Sequence, residues 1–232
     1  EGLGVDYLFN IEFTEEIMKT EPEDYIRSFL VEKFNAKELF CGFNYHYGHK
    51  AAGDYALLEA CGKKYGYNVN RMEPVLVDGD IVSSTLIRGL IKAGEMEDCQ
   101  KYLGRVYDIG GEVVVGNKLG RTIGFPTSNI MIDEGMVTPP NGVYVTFCTY
   151  NGERYPSITN IGVKPTIGEY TKNVETHIFN FNKELYGKEI RVEFIEKIRE
   201  ERKFDSVEAL SKQITDDCIK AKAFHREHSG EI

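Results

Sequence analysis

Apolar and polar residues in the first hundred positions alternate between two periods. Val5, Tyr7, Phe9 and Ile11 alternate with Asp6, Asn10 and Glu12, which predicts a strand over 5–12. Ile26, Phe29, Leu30 and Phe34 then recur at helical spacing, behind a Thr20/Glu23 capping box. Leu39 to Phe43 is a short apolar strand. Asp54 caps a helix with Leu57, Leu58, Cys61 and Tyr65 on one face, and Gly66 stops it. Tyr67 to Met72 is a further strand. Ser83-Ser84 open a helix carrying Leu86, Ile87, Leu90 and Ile91, and a last short helix ends at Gly104. This strand–helix alternation predicts a parallel sheet with helices on its faces.

Beyond Gly104 the period stays near two. Val113 to Val115, Val143 to Tyr150, Arg154 to Ile161, Val174 to Phe181 and Glu189 to Ile195 read as strands. Asn151-Gly152 is the strongest hairpin turn, because both residues tolerate positive φ. Many short strands joined by turns predict a small closed barrel. A final helix is expected from Asp205 as its cap, with Glu208 completing a capping box. Val207, Leu210, Ile214, Cys218 and Ala221 are its buried stripe, and Lys220, Lys222 and Arg226 suit its C-terminal dipole. The change of period places a domain boundary near 104, giving domains 1–103 and 104–232.

Composition narrows the classes. Of the 232 residues, 41% are hydrophobic and 28% charged, as in ordinary globular domains. A net charge of −9 opposes a phosphate backbone, so nucleic acid is a poor partner. No apolar run is long enough to span a bilayer. The five cysteines are scattered and never form C-x-x-C, which predicts a reducing, cytoplasmic setting rather than disulfides or zinc. The chain opens on Glu1-Gly2-Leu3-Gly4 directly before the first predicted strand, which reads as the middle of a domain.

Three stretches after 104 carry candidate chemistry. In the first, Gly116, Gly120 and Gly124 let backbone N–H groups approach a polyphosphate, and Lys118 and Arg121 supply positive charge. Pro126 follows, and Thr127 and Asn129 offer hard oxygen donors of the kind Mg²⁺ prefers. On spacing alone this is equally a Gly/Pro-rich connection, and it is not a Walker A loop. In the second, Glu175 and His177 share one strand face, with Val174, Thr176 and Ile178 on the other. A carboxylate on a rigid strand suits a general base, although an outward-facing Glu is the commoner explanation of such a pattern. The third runs from Arg199 through Phe204 to Ser206: a solvated charged loop with a helix cap, or a flap over a flat substrate.

Taken together, Gly120-Arg-Thr-Ile-Gly-Phe-Pro-Thr-Ser-Asn129, Asn141-Gly-Val-Tyr144, Asn160-Ile-Gly-Val-Lys-Pro-Thr166, Val174-Glu-Thr-His177, Leu185-Tyr-Gly187 and Lys203-Phe-Asp-Ser206 resemble, in order, the riboflavin kinase module at the C-terminal end of prokaryotic bifunctional FAD synthetases. Ser128 stands where that family usually has Ala. The resemblance implies a six-stranded antiparallel barrel with a C-terminal helix, and ATP and riboflavin as substrates with FMN as product. It implies that Thr127 and Asn129 hold Mg²⁺ with the ATP phosphates, and that the loop from Gly116 to Gly124 wraps them. Glu175 would take the proton of the ribityl 5′-hydroxyl. Arg199, Phe204 and Ser206 would lie on the flavin.

Residues 1–103 resemble the later part of the FMN adenylyltransferase module of the same enzymes, a Rossmann-like nucleotidyltransferase fold. The match rests on Cys41-Gly-Phe-Asn44-Tyr45 through Gly53-Asp54, and on Val82-Ser83-Ser84-Thr85-Leu-Ile-Arg88. Ser83, Ser84 and Thr85 open a helix where N–H groups bind anions, and Arg88 falls one turn later. His46-Tyr47-Gly48-His49 spells H-x-G-H, yet its flanks match a different loop of that family. The family's catalytic histidines are therefore expected upstream of Glu1, so this chain is expected to make FMN and to form FAD poorly. Other readings are a nucleotidyltransferase with another acceptor, a non-enzymatic flavin-binding barrel and an oligonucleotide-binding barrel.

Overall fold

The computed structural model describes residues 4–116, 119–132, 135–166 and 169–228. It contains two compact units, Glu1–Leu76 and Val77–Ile232.

The first unit contains α1 (Glu15–Met18), α2 (Pro22–Tyr25) running into a π-helix (Ile26–Lys33), β1 (Glu38–Gly42), α3 (Tyr55–Tyr65) and β2 (Asn68–Met72). β1 and β2 are parallel, with Leu39 opposite Val69, and α3 is the crossover that parallel pairing requires. As predicted, Asp54 caps α3, its Oδ1 accepting from the Leu57 N–H at 2.9 Å, and left-handed Gly66 ends it. Ile26, Cys41, Tyr47, Leu58, Cys61 and Tyr67 form the core.

Two expectations fail in this unit. Residues 5–12 form no strand. Among the described residues no strand lies beside them to take their backbone hydrogen bonds, and Val5, Tyr7 and Phe9 stay exposed. Thr20 does not cap. Its hydroxyl donates to the Glu16 carbonyl, Glu21 stands at the N-cap, and Pro22 opens the helix with its φ already set. The chain then winds with i→i+5 bonds, the Phe34 N–H donating to the Phe29 carbonyl at 3.0 Å.

The second unit is dominated by a barrel. β3 (Leu76–Val77) and β4 (Asp80–Ile81) form a hairpin turning through Asp78-Gly79, followed by α4 (Ser84–Ala93) and α5 (Met96–Leu103). Next come β5 (Tyr107–Val114), the single turn α6 (Leu119–Thr122), β6 (Ser128–Met131), β7 (Gly142–Tyr150), β8 (Glu153–Thr166), β9 (Glu169–Ile178), β10 (Glu189–Glu200) and α7 (Val207–Glu227). The six strands β5 to β10 close in the order β10-β5-β6-β9-β8-β7, every pairing antiparallel. Asn151 and Gly152, both at positive φ, make the predicted β7–β8 turn.

Alternation decides which side chains fill the barrel. Ile109, Val113, Ile130, Tyr144, Val174, Ile190, Val192 and Phe194 point inward and are almost fully buried. Each contributes about 1.5–3 kcal/mol of transfer free energy. The same interior contains a chain of hydroxyls: Thr146 bonds Ser157 and Thr159 at 2.8 Å each, and Thr159 bonds Thr176 at 2.9 Å. Each buried hydroxyl therefore has a partner, as its burial demands. β10 takes one extra residue at each of Ile195 and Ile198, and such bulges bend a strand enough to help close a barrel.

On the outside, α7 packs over β7, β8 and β10 through Val143, Val145, Ile158, Phe179, Cys218 and Ala221. Its N-cap is Ser206, not the expected Asp205: the Ser206 hydroxyl accepts from the Ala209 N–H at 3.1 Å. The buried stripe consequently begins at Leu210, and Val207 is half exposed. No helix among the described residues is long and apolar enough to cross a membrane.

Candidate active site

β9 supplies the carboxylate. Val174, Thr176 and Ile178 fill the barrel, so Asn173, Glu175 and His177 face outward together. Glu175 lies opposite Asn129 on β6 and opposite Asn160 on β8. Asn173, two residues earlier on the same face, donates through Nδ2 to Glu175 Oε1 and to Asn129 Oδ1, each at 3.0 Å. One amide thus fixes both the carboxylate and the neighbouring amide.

The glycine loop leads into β6 beside this group. Gly116 is pressed against Asn129: a Cβ there would lie 2.7 Å from the Asn129 amide atoms. At Gly120 a Cβ would come within 2.3 Å of the Phe125 carbonyl oxygen, and the Phe125 N–H donates to the Gly120 carbonyl at 2.7 Å. Only glycine permits that closure. Thr127 faces two adjoining hollows, one of about 60 Å³ that also takes Arg121, Pro126 and Lys183, and a larger one of about 330 Å³. Gly124 lies at positive φ in the turn between them in sequence. Lys118 lies outside the described residues.

The larger cleft brings Thr127 and Glu175 together with Arg199 and Phe204. Phe125, Val143, Ile158, Leu210 and Ile214 make its apolar wall. His177 also lines it, and its Nδ1 donates to the Pro126 carbonyl at 2.8 Å. Burial lowers the His177 pKa below the ordinary value of 6.5, with Lys222 adding to the effect against the pull of that carbonyl. The imidazole is therefore neutral near pH 7. Its proton sits on Nδ1, since a carbonyl can only accept.

The end of β10 and the charged segment after it are tied to α7. Arg199 Nε and Nη2 donate to Asp217 Oδ2 at 2.9 and 2.8 Å, and Nη1 donates to the Glu200 carbonyl at 2.8 Å. Glu201 Oε2 accepts from Asn141 Nδ2 at 2.9 Å. Ser206, by contrast, is not among the residues lining the cleft, and its hydroxyl is committed to the cap. Asn173 and Asp217 are site neighbours that the motifs did not point to, and Asn160 opens one of the matched motifs, which gave it no role. The period-two rule was the available signal for Asn173, which shares a face with Glu175; for Asp217 the only signal was a carboxylate inside the apolar stripe of a helix.

The remaining candidates lie elsewhere. Asn44 is an exposed residue of the first unit. Ser83, Ser84, Thr85 and Arg88 belong to the second, at the start of α4, where the Ser83 hydroxyl accepts from the Leu86 N–H at 3.2 Å. Of the H-x-G-H residues, His49 meets Glu21 at 3.3 Å, Tyr47 is core, and Gly48 packs closely on Pro22. That close packing gives the glycine a structural role.

A riboflavin kinase family profile matches residues 103–225, and an FAD synthetase profile matches residues 1–86. The bifunctional riboflavin kinase/FMN adenylyltransferase of Haemophilus influenzae is 37% identical over 225 residues, covering 97% of this chain and 73% of the relative. That of Bacillus subtilis is 34% identical over 221 residues, covering 94% and 69%. A crystal structure described as a macrolide-efflux protein from Streptococcus pneumoniae superposes with a TM-score of 0.75 at 30% identity, covering 91% of this chain and 68% of that one.

Proposed function

Because the chain belongs to the bifunctional riboflavin kinase/FMN adenylyltransferase family, we propose that its barrel transfers the ATP γ-phosphate to the riboflavin 5′-hydroxyl, with Glu175 as general base. The observation that carries this assignment is the convergence of Thr127 and Glu175 on one cleft whose other wall is apolar. That combination suits a flat heterocycle with a polar tail: the ring meets Phe125, Val143, Ile158 and Phe204, and the ribityl end reaches the carboxylate.

The step is an in-line displacement. The ribityl oxygen forms a bond to the γ-phosphorus, the bond to the β,γ-bridging oxygen breaks, and ADP leaves. Glu175 accepts the hydroxyl proton, and Asn173 keeps the carboxylate aimed by its 3.0 Å hydrogen bond. Gly116, Gly120 and Gly124 bring N–H groups to the phosphates, and Arg121 offsets their charge. Pro126 directs the chain from that loop into β6, and its carbonyl anchors His177. The protein's contribution is alignment and charge stabilisation rather than covalent chemistry.

The donor set fits Mg²⁺. Asn129 is 5% exposed; its Oδ1 accepts from Asn173 Nδ2 at 3.0 Å and its Nδ2 donates to the Thr127 carbonyl at 3.4 Å, so Oδ1 is the oxygen it would offer the ion together with the Thr127 hydroxyl. Among the described residues no cluster of three His, Cys, Asp or Glu stands ready for a metal, so nucleotide oxygens would complete the shell. When bound, the ion would neutralise charge on the β- and γ-phosphates.

The functional boundary near 104 assigns 104–232 to the kinase and 1–103 to the adenylyltransferase. From the resemblance of the sequence we assign Ser84, Thr85 and Arg88, with Ser83 as cap, to ATP phosphates, and name Asn44 separately as a candidate residue of the first unit. Five buried free thiols suit a cytoplasmic setting. The test is incubation of the whole chain with riboflavin and Mg–ATP. Appearance of FMN supports the assignment, and absence of FMN refutes it.

A further inference from the structure

The end of β10 and the segment after it are rich in charge, and two arginines there, Arg199 on the strand and Arg202 beyond it, flank one aromatic ring. Arg199 Cζ lies 5.8 Å and Arg202 Cζ 4.9 Å from the Phe204 ring centroid. A solvated segment of this composition would leave the guanidinium groups free to move. Here both are tied to one face of α7, through residues one turn apart. Asp217 takes Arg199 on Oδ2, and its Oδ1 accepts from Gln213 Nε2 at 2.7 Å. Gln213 Oε1 accepts in turn from Arg202. Asp217 is 1% exposed, so its charge is compensated almost wholly by this set.

All three guanidinium nitrogens of Arg199 have partners behind them, two on Asp217 and one on the Glu200 carbonyl. Three of the five N–H donors of Arg199 are thus held by the protein, which fixes the guanidinium plane at the wall of the cleft. A guanidinium held in that way is a fixed cationic plane. It suits a planar ring, and an electron-rich heterocycle beside a guanidinium plane is attracted to it.

We infer that Asp217, with Gln213, is a positioning residue for the flavin: it fixes Arg199 and Arg202, and through them the Phe204 ring, as a preformed wall of the cleft. The inference rests on the reading of this cleft as the riboflavin site. It assigns to α7 the ordering of the segment, so that riboflavin binding need not supply it.

The experiment compares the whole chain with Asp217→Asn and with the double variant Arg199→Met/Asp217→Met, in which an apolar pair replaces the buried ion pair. Riboflavin Kd is read by fluorescence quenching, and kcat and both KM values by FMN formation. Asp217→Asn should raise riboflavin Kd and KM by about tenfold or more, with KM for ATP within about threefold. The double variant should recover thermal stability and still bind riboflavin weakly. A folded Asp217→Asn protein with unchanged riboflavin Kd overturns the inference, as does a double variant that binds like the parent. A parent chain that neither quenches nor phosphorylates riboflavin would instead overturn the assignment of the cleft, so the two failures are distinct.

Discussion

Replacing Glu175 by Gln removes the base and little else. The Gln carbonyl can accept the same 3.0 Å hydrogen bond from Asn173 Nδ2, and the side chain keeps its length and its place opposite Asn129 and Asn160. The structural loss is the charge assistance of that bond, about 1 kcal/mol or less. The chemical loss is larger: a general base accounts for roughly 10²–10⁴ in rate, equivalent to about 2.7–5.5 kcal/mol of barrier. Chemistry therefore outweighs folding in this variant. Steady-state FMN formation should fall at least about a hundredfold in kcat, while riboflavin quenching and the thermal midpoint change little. A kcat within about threefold of the parent would remove Glu175 as the base.

Other consequences follow from the same geometry. Thr146→Val breaks two hydroxyl bonds inside the barrel and should cost about 1–3 kcal/mol, seen as a lower denaturant midpoint with unchanged slope. Gly116→Ala pushes a methyl into the Asn129 amide, and should raise KM for ATP while costing about 1–3 kcal/mol of stability by overpacking. His177 and His225 are both held below the ordinary 6.5, chiefly by burial, so the unfolded chain binds more protons below that pH. Their contribution to stability is full above 6.5 and is lost as pH falls toward the folded values. The thermal midpoint should therefore drop between about pH 7.5 and about pH 5.5, and less steeply in a His177→Gln variant. Burial pushes the Cys148 thiol up to about 12 and Cys218 up to about 11, so neither should react with iodoacetamide in the native protein at neutral pH.

The barrel was legible because its strands alternate. Val174, Thr176 and Ile178 gave the inner face of β9, and that assignment by itself turned Glu175 outward. Asp54, Gly66 and Ser83 were legible as caps because capping is local chemistry. What failed depended on neighbours. The alternation over 5–12 met no partner strand, and the Thr20 cap lost to Pro22. β6 is four residues long and pairs only through its register with β5 and β9, which no local pattern encodes. Within the cleft the motif residues were readable as types, but not their supports. Asn173 and Asp217 lie 44 and 18 residues in sequence from their partners Asn129 and Arg199. Only the closed barrel and the seating of α7 on it bring those pairs together.

The most direct test of the central claim follows the phosphorus. The whole chain is incubated with riboflavin and Mg–ATP labelled at the γ-phosphorus, and the flavins are then separated. The account predicts label in FMN, one phosphate per flavin, formed together with ADP. Label released only as inorganic phosphate, with riboflavin unchanged, would contradict it.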